Sequence, residues 1–130
     1  MPKVLTAGIT QELGSQRNLD SVQRFVTNDL SHPFKPCWFY ARIAFEGAGA
    51  HVIIVRIHAA EDRDMPVLNA VESVTLPDES RPTVEVKIHI KQLRFNRFGP
   101  HELVIGCDDE ILQVIQLDVL RSTPGPATMQ

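Results

Sequence analysis

"VEVKIHIK", residues 84–91, alternates Val84, Val86, Ile88 and Ile90 with Glu85, Lys87, His89 and Lys91. Successive side chains of a β-strand point to opposite faces, so a period of two predicts a strand with one dry face and one wet face. The dry parity is β-branched and suits a core. The wet parity is mostly basic, and raises the question of whether it binds something or is only solvated.

The same rhythm recurs on both sides of this stretch. Residues 37–46, "CWFYARIAFE", place Phe39, Ala41, Ile43 and Phe45 on one parity and Trp38, Tyr40, Arg42, Ala44 and Glu46 on the other. Residues 51–59, "HVIIVRIHA", put Ile53, Val55 and Ile57 on one face against Val52, Ile54, Arg56 and His58. That strand is apolar on both sides near its start, which predicts a central position. Strands are expected over 4–12 and, less regularly, over 19–27, and residues 70–76 are expected as an edge strand or as a segment docked over an open end. The opening stretch is expected to run on to Phe95. "HELVIGCD" and "ILQVIQLDVLR" read as a closing pair joined around Asp108, Asp109 and Glu110. In the last strand Leu112, Val114 and Leu120 share one parity, and Ile111, Ile115, Leu117 and Val119 the other. A closing strand apolar on both faces either lies between two layers or meets another subunit.

No segment carries a helical period. Short alternating strands divided by Gly, Pro and Asn turns give an all-β chain, and one-sided strands imply antiparallel sheets packed on a shared core. The expectation is an antiparallel, immunoglobulin-like β-sandwich of about seven or eight strands. It fills a single domain over residues 1–121, and 122–130 form a flexible tail. At 130 residues, 43% of them hydrophobic and 22% charged, the chain can bury a core without metal or disulfide staples. Cys37 and Cys107 lack the CxxC spacing of a metal site and are expected as reduced, buried thiols.

A net charge of −3 argues against a dedicated DNA-binding protein, since phosphate neutralisation needs a strongly basic domain. "MPKVLTAGIT" has no apolar run of a signal peptide, and no window reaches the roughly 18 apolar residues of a membrane span. A cytoplasmic location with no membrane partner is the expectation.

The sequence resembles a family of small bacterial proteins known only as a domain of unknown function. The likeness lies in "VLTAGIT", "HPFKPCWFYARIAFEGAGAHVIIVRI" and "LRFNRFGPHELVIGCDDEILQVIQLDV". It implies a sandwich and brings no catalytic residues. The chain departs from the pattern at the final hairpin, where Asp108 and Asp109 stand in place of an Asp-Gly pair.

Chemistry-bearing constellations are sparse. A zinc site needs three or four convergent ligands, and the scattered histidines do not supply a legible set. His58 and His89 would be neighbours only if their strands paired. Asp108, Asp109 and Glu110 would need a second acidic loop, such as 61–64 or 77–80, to hold calcium, and Asp favours turns on its own account. There is no GxSxG elbow and no phosphate-binding Gly-rich loop. No cofactor, no metal and no enzymatic activity are expected.

The basic face is the leading candidate. Between Val84 and His101 stand Lys87, Lys91, Arg94 and Arg97 against one acid, Glu85. If Arg42, Arg56 and His58 project to the same side as Lys87, His89 and Lys91, a cationic patch forms with Tyr40 and Trp38 at its margin. The plainer reading is a face that keeps the strand soluble and blocks edge pairing. The functional expectation is a non-catalytic protein-binding or scaffold module, with homodimerisation through an open sheet as a further option. The alternative is a nucleic-acid or anionic-ligand binder using the basic face.

Overall fold

Each alternating stretch of the sequence becomes a strand, because burying one parity demands a partner layer while the ladder satisfies the backbone. The computed structural model describes residues 2–10, 23–46, 49–76 and 83–122. The strands are β1 (Lys3–Thr10), β2 (Arg24–Thr27), β3 (Cys37–Ala44), β4 (Gly49–Ala59), β5 (Leu68–Leu76), β6 (Thr83–Ile90), β7 (Gly99–Cys107) and β8 (Glu110–Arg121). They form a three-stranded sheet, β1-β3-β6, and a five-stranded sheet, β2-β8-β7-β4-β5. The architecture is an all-β, immunoglobulin-like sandwich. One pair departs from the antiparallel expectation: β2 runs parallel to β8, with Phe25 opposite Val119. No helix among the described residues is long and apolar enough to cross a membrane.

The core is the dry parity of both sheets. Phe39, Ala41 and Ile43 of β3 face Ile53, Val55 and Ile57 of β4, Leu103 and Ile105 of β7, and Leu117 and Val119 of β8 within one buried cluster. The opening stretch behaves as its pattern requires: Val86 and Ile90 are buried, and Val84 and Ile88 pack against the cluster. Each such side chain contributes about 1.5–3 kcal/mol on burial. Both cysteines are buried free thiols of this core. Burial raises the Cys37 thiol above its ordinary pKa; burial and the nearby Asp108 and Glu110 push Cys107 up to about 11.

β6 stops at Ile90 rather than running to Phe95. Leu93 and Phe95 are buried, and the chain leaves the ladder to carry them over one end of the core. There Phe95 meets Phe25 at 5.0 Å and Phe34 at 5.7 Å between ring centroids, and Phe34 bridges to Leu93. This closure leaves Lys91 just past the strand, outside the register. The expected edge strand is β5, paired to β4 from Leu68 to Leu76. Parts of the expectations over 4–12 and 19–27, the acidic loop 77–80, and the tail beyond residue 122 lie outside the described residues.

The β7–β8 hairpin turns on two residues, Asp108 with φ 51° and Asp109 with φ 70°. Positive φ at both central positions is the signature of a type I′ turn, whose twist matches the flanking strands. Aspartate tolerates this backbone better than most residues, so the missing glycine does not forbid the turn. A bulge follows. Ile105 pairs with Gln113, but Gly106 pairs with Ile111, which leaves Leu112 as the extra residue. A side chain at Gly106 would meet the backbone oxygen of Glu110 at 3.2 Å, so glycine permits this close approach. The bulge also corrects the parity expected for β8. Ile111 does not share a face with Ile115, Leu117 and Val119; it turns outward to join Val114.

Candidate binding face

The outward parity of the five-stranded sheet is unusually apolar. Successive registers set Val71, Ile54, Gly106 and Ile111 in one row across four strands. The next row is Asn69, Arg56, Val104 and Val114, and the one after sets His58 beside Glu102 and Gln116. At the far edge Val26 lies opposite Leu120. Eight large apolar side chains of the described residues are exposed, and six of them (Val26, Val52, Val71, Ile111, Val114 and Leu120) stand on this face. Scattered exposed apolar residues are normal on a monomer; here they gather on one face. The signal was present in the sequence as two strands, β4 and β8, apolar on both parities.

One end of the face is polar and organised. His58 is 4% exposed although it points away from the core, and its Nε2 lies 3.0 Å from Oε1 of Glu102. The Arg63 guanidinium approaches the same oxygen at 3.5 Å, and Arg56 donates from Nη2 to the Arg63 carbonyl. Arg63 thus folds the 60–67 loop back over β4. Nδ1 of His58 and Nε of Arg56 are buried without a hydrogen-bond partner among the described residues. A cleft of about 390 Å³ opens here, lined by Arg56, His58, Arg63, Glu102, Val104, Ile111 and Val114. Among the described residues, no hydroxyl or thiol side chain lines it.

The expected basic patch divides between the two sheets. β6 pairs with β3, setting Lys87 beside Tyr40, His89 beside Trp38, and Glu85 beside Arg42. Tyr40, Arg42, Lys87 and His89 therefore share the outer face of the three-stranded sheet. Arg56 and His58 belong to β4 in the other sheet and point away from the shared core on its far side, so His58 and His89 are not neighbours. Lys91 lies off the strand end. Glu85 further dilutes the positive charge, its carboxylate standing 3.6 Å from the Lys87 ammonium. Trp38 and His89 stack at 4.4 Å. Tyr40 is buried at 1% exposure, and burial, with Glu85 adding to it, raises its phenol pKa against the opposing pull of Arg42.

A second cluster sits at the hairpin. His51, Cys107 and Asp108 place a ring nitrogen, a sulfur and a carboxylate oxygen within 4.8 Å of one another. Sequence inspection missed it because His51 and Cys107 meet only through the β4–β7 register, in which Ile53 lies opposite Cys107. The acidic loop 61–64 lies at the opposite end of β4, where Ala59 bridges to Asp62, so it brings no carboxylate to this hairpin.

Residues 24–120 match the model of DUF6941, a family of unknown function. The chain belongs to this family. No curated protein matches the sequence. Among solved structures, the alkylpurine DNA glycosylase AlkC of Pseudomonas fluorescens, bound to DNA containing an abasic site analog, is 12% identical with a TM-score of 0.54. That match covers 93% of this chain and 30% of the other. The β-glucosidase of Listeria innocua in complex with isofagomine is 15% identical with a TM-score of 0.50, over 92% of this chain and 16% of that one. An immunoglobulin-like protein of Pseudomonas aeruginosa is 13% identical over 92% of this chain and 96% of its own, with a TM-score of 0.47. The chain thus spans less than a third of the glycosylase and of the glucosidase, and at these identities the likeness is one of fold.

Proposed function

We propose that this member of DUF6941 is a non-catalytic recognition module that docks a partner protein on the outer face of its five-stranded sheet. The supporting observation is the gathering of six exposed apolar side chains on that face. Interfaces of this kind have an apolar centre and a polar rim. Here Val104, Ile111 and Val114 supply the centre, while Arg56, Arg63 and Glu102 supply a rim that suits a partner carrying carboxylates at its margin. The competing reading, an anionic ligand on the outer face of β3 and β6, has less support, because Glu85 offsets Lys87 and Tyr40 is buried.

The test is capture of partners from the native organism by the wild-type chain, by Ile111→Asp with Val114→Asp, and by Arg42→Glu with Lys87→Glu. The reading expects the first pair of substitutions to abolish capture and the second to leave it intact. Retention of every partner by the aspartate variant overturns it. Sedimentation of the purified chain reads whether the partner is a second copy. Oligonucleotide binding at low salt that weakens steeply as salt rises would favour the competing reading.

A further inference from the structure

We infer that His51, Cys107 and Asp108 form a binding site for a zinc-class transition-metal ion at the β7–β8 hairpin, at the edge of the proposed docking face. The donors are one imidazole nitrogen, one sulfur and one carboxylate, all within 4.8 Å of each other. Calcium and magnesium take oxygen donors, whereas a mixed nitrogen and sulfur set suits zinc and its neighbours. Ligand atoms around a tetrahedral zinc ion lie roughly 3.4 Å apart, given bonds of about 2.0–2.3 Å. Nδ1 of His51 is 2.6 Å from Oδ2 of Asp108, and Sγ of Cys107 is 3.5 Å from the same oxygen. Seating an ion therefore requires the His51–Asp108 pair to separate by less than about 1 Å, and the His51 nitrogen and Cys107 sulfur, held within 4.8 Å, to stand at a similar spacing. The Cys107–Asp108 spacing already fits.

The donors stand on rigid supports. Cys107 ends β7 and His51 lies within β4, two ladder positions from the residue opposite Cys107. The other carboxylate oxygen of Asp108 accepts from the Val52 N–H at 2.9 Å, and this bond orients the ligand from outside the coordination shell. The Phe45 ring packs on His51 at 4.7 Å and limits its freedom. The Asp108 side chain is 46% exposed, so an ion can reach the cluster from solvent along the carboxylate. On binding, Cys107 releases its thiol proton to solvent as the sulfur–metal bond forms.

Cobalt(II) titration of the full chain, kept reduced, reads the site directly. The expected result is a near-ultraviolet thiolate-to-cobalt charge-transfer band saturating at one equivalent and erased by added zinc. Cys107→Ser removes that band. His51→Gln and Asp108→Asn each weaken cobalt binding at least tenfold, and Cys37→Ser leaves the isotherm unchanged. A wild-type chain without the band, a band surviving Cys107→Ser, or an isotherm unaltered in His51→Gln overturns the inference. If Cys107→Ser does not fold, as judged by circular dichroism, the two surface variants decide the matter.

Discussion

Val52 and Asp108 hold each other across the hairpin end of the five-stranded sheet. The Val52 N–H donates to the Asp108 carboxylate at 2.9 Å, and the Asp108 N–H donates to the Val52 carbonyl at 3.0 Å. The first bond, with the His51 ring behind it, holds the Asp108 carboxyl below its ordinary pKa of 3.8. A carboxylate depressed in this way stabilises the folded state fully above the unfolded value. That stabilisation is lost as pH falls through the folded value. Asp108→Ala is therefore expected to lower Tm at pH 7 and to flatten the loss of Tm below about pH 4. Asp29, lowered by its hydrogen bonds to Ser31, accounts for part of the remaining acid sensitivity. Parallel melts from pH 7 to pH 3 check it; identical acid slopes in both proteins would contradict the clamp.

Asp109 has a φ of 70° and carries a Cβ into a region that favours glycine. Relief of that steric cost is worth about 1–2 kcal/mol, and the extra freedom of an unfolded glycine takes back about 0.4–1 kcal/mol. Asp109→Gly is expected to stabilise the chain by about 0.5 kcal/mol. Urea unfolding measures it, and a lowered midpoint would refute the assignment of the turn.

Local patterns were legible in the sequence and pairings were not. The alternation in "VEVKIHIK" needs only its own residues to predict a buried parity, and Val86 and Ile90 are buried accordingly. The same holds for Phe39, Ala41 and Ile43, and for Leu117 and Val119. Which strand lies beside β6 depends on contacts with chain far away, and no local rule separates β3 from β4 as its neighbour. Arg42 with Lys87, and Arg56 with His58, consequently ended on different sheets. The bulge at Leu112 is a defect of one residue that reverses every parity on one side of it, and it alone turned Ile111 outward. Gly106, opposite the bulge, was its only visible trace.

His101 stands among core residues with no exposed surface, its Nδ1 donating to the Gly99 carbonyl at 3.0 Å and its ring edge-on to Phe95. Burial lowers its pKa below the ordinary 6.5. Arg97 and His58 push the same way, while the Gly99 bond and Asp118 oppose them. In the window below 6.5 the unfolded chain takes up a proton that the folded chain refuses. Stability contributed by the neutral ring is thus full above that value and falls as pH drops towards the folded value. His101→Leu is expected to lose less Tm than wild type between pH 7.5 and pH 5, whatever its stability at the upper end. Equal slopes would show that the ring is not held neutral by its site.

Leu103 and Val104 are consecutive on β7 and point to opposite faces, which separates the demands of folding from those of the proposed docking. Leu103 is fully buried against the other sheet. Its truncation to alanine removes apolar contacts and leaves a cavity, and is expected to cost about 2–5 kcal/mol. Val104 faces outward between Arg56 and Val114 and lines the cleft beside Glu102. Val104→Ala gives up a partly covered surface, so its cost in stability should stay below about 1 kcal/mol. Its effect on partner capture should be the larger of the two when both variants are assayed well below their unfolding midpoints. Urea unfolding gives the first comparison and partner capture the second. If Val104→Ala destabilises the fold as much as Leu103→Ala, the outer face is part of the core and not a docking surface.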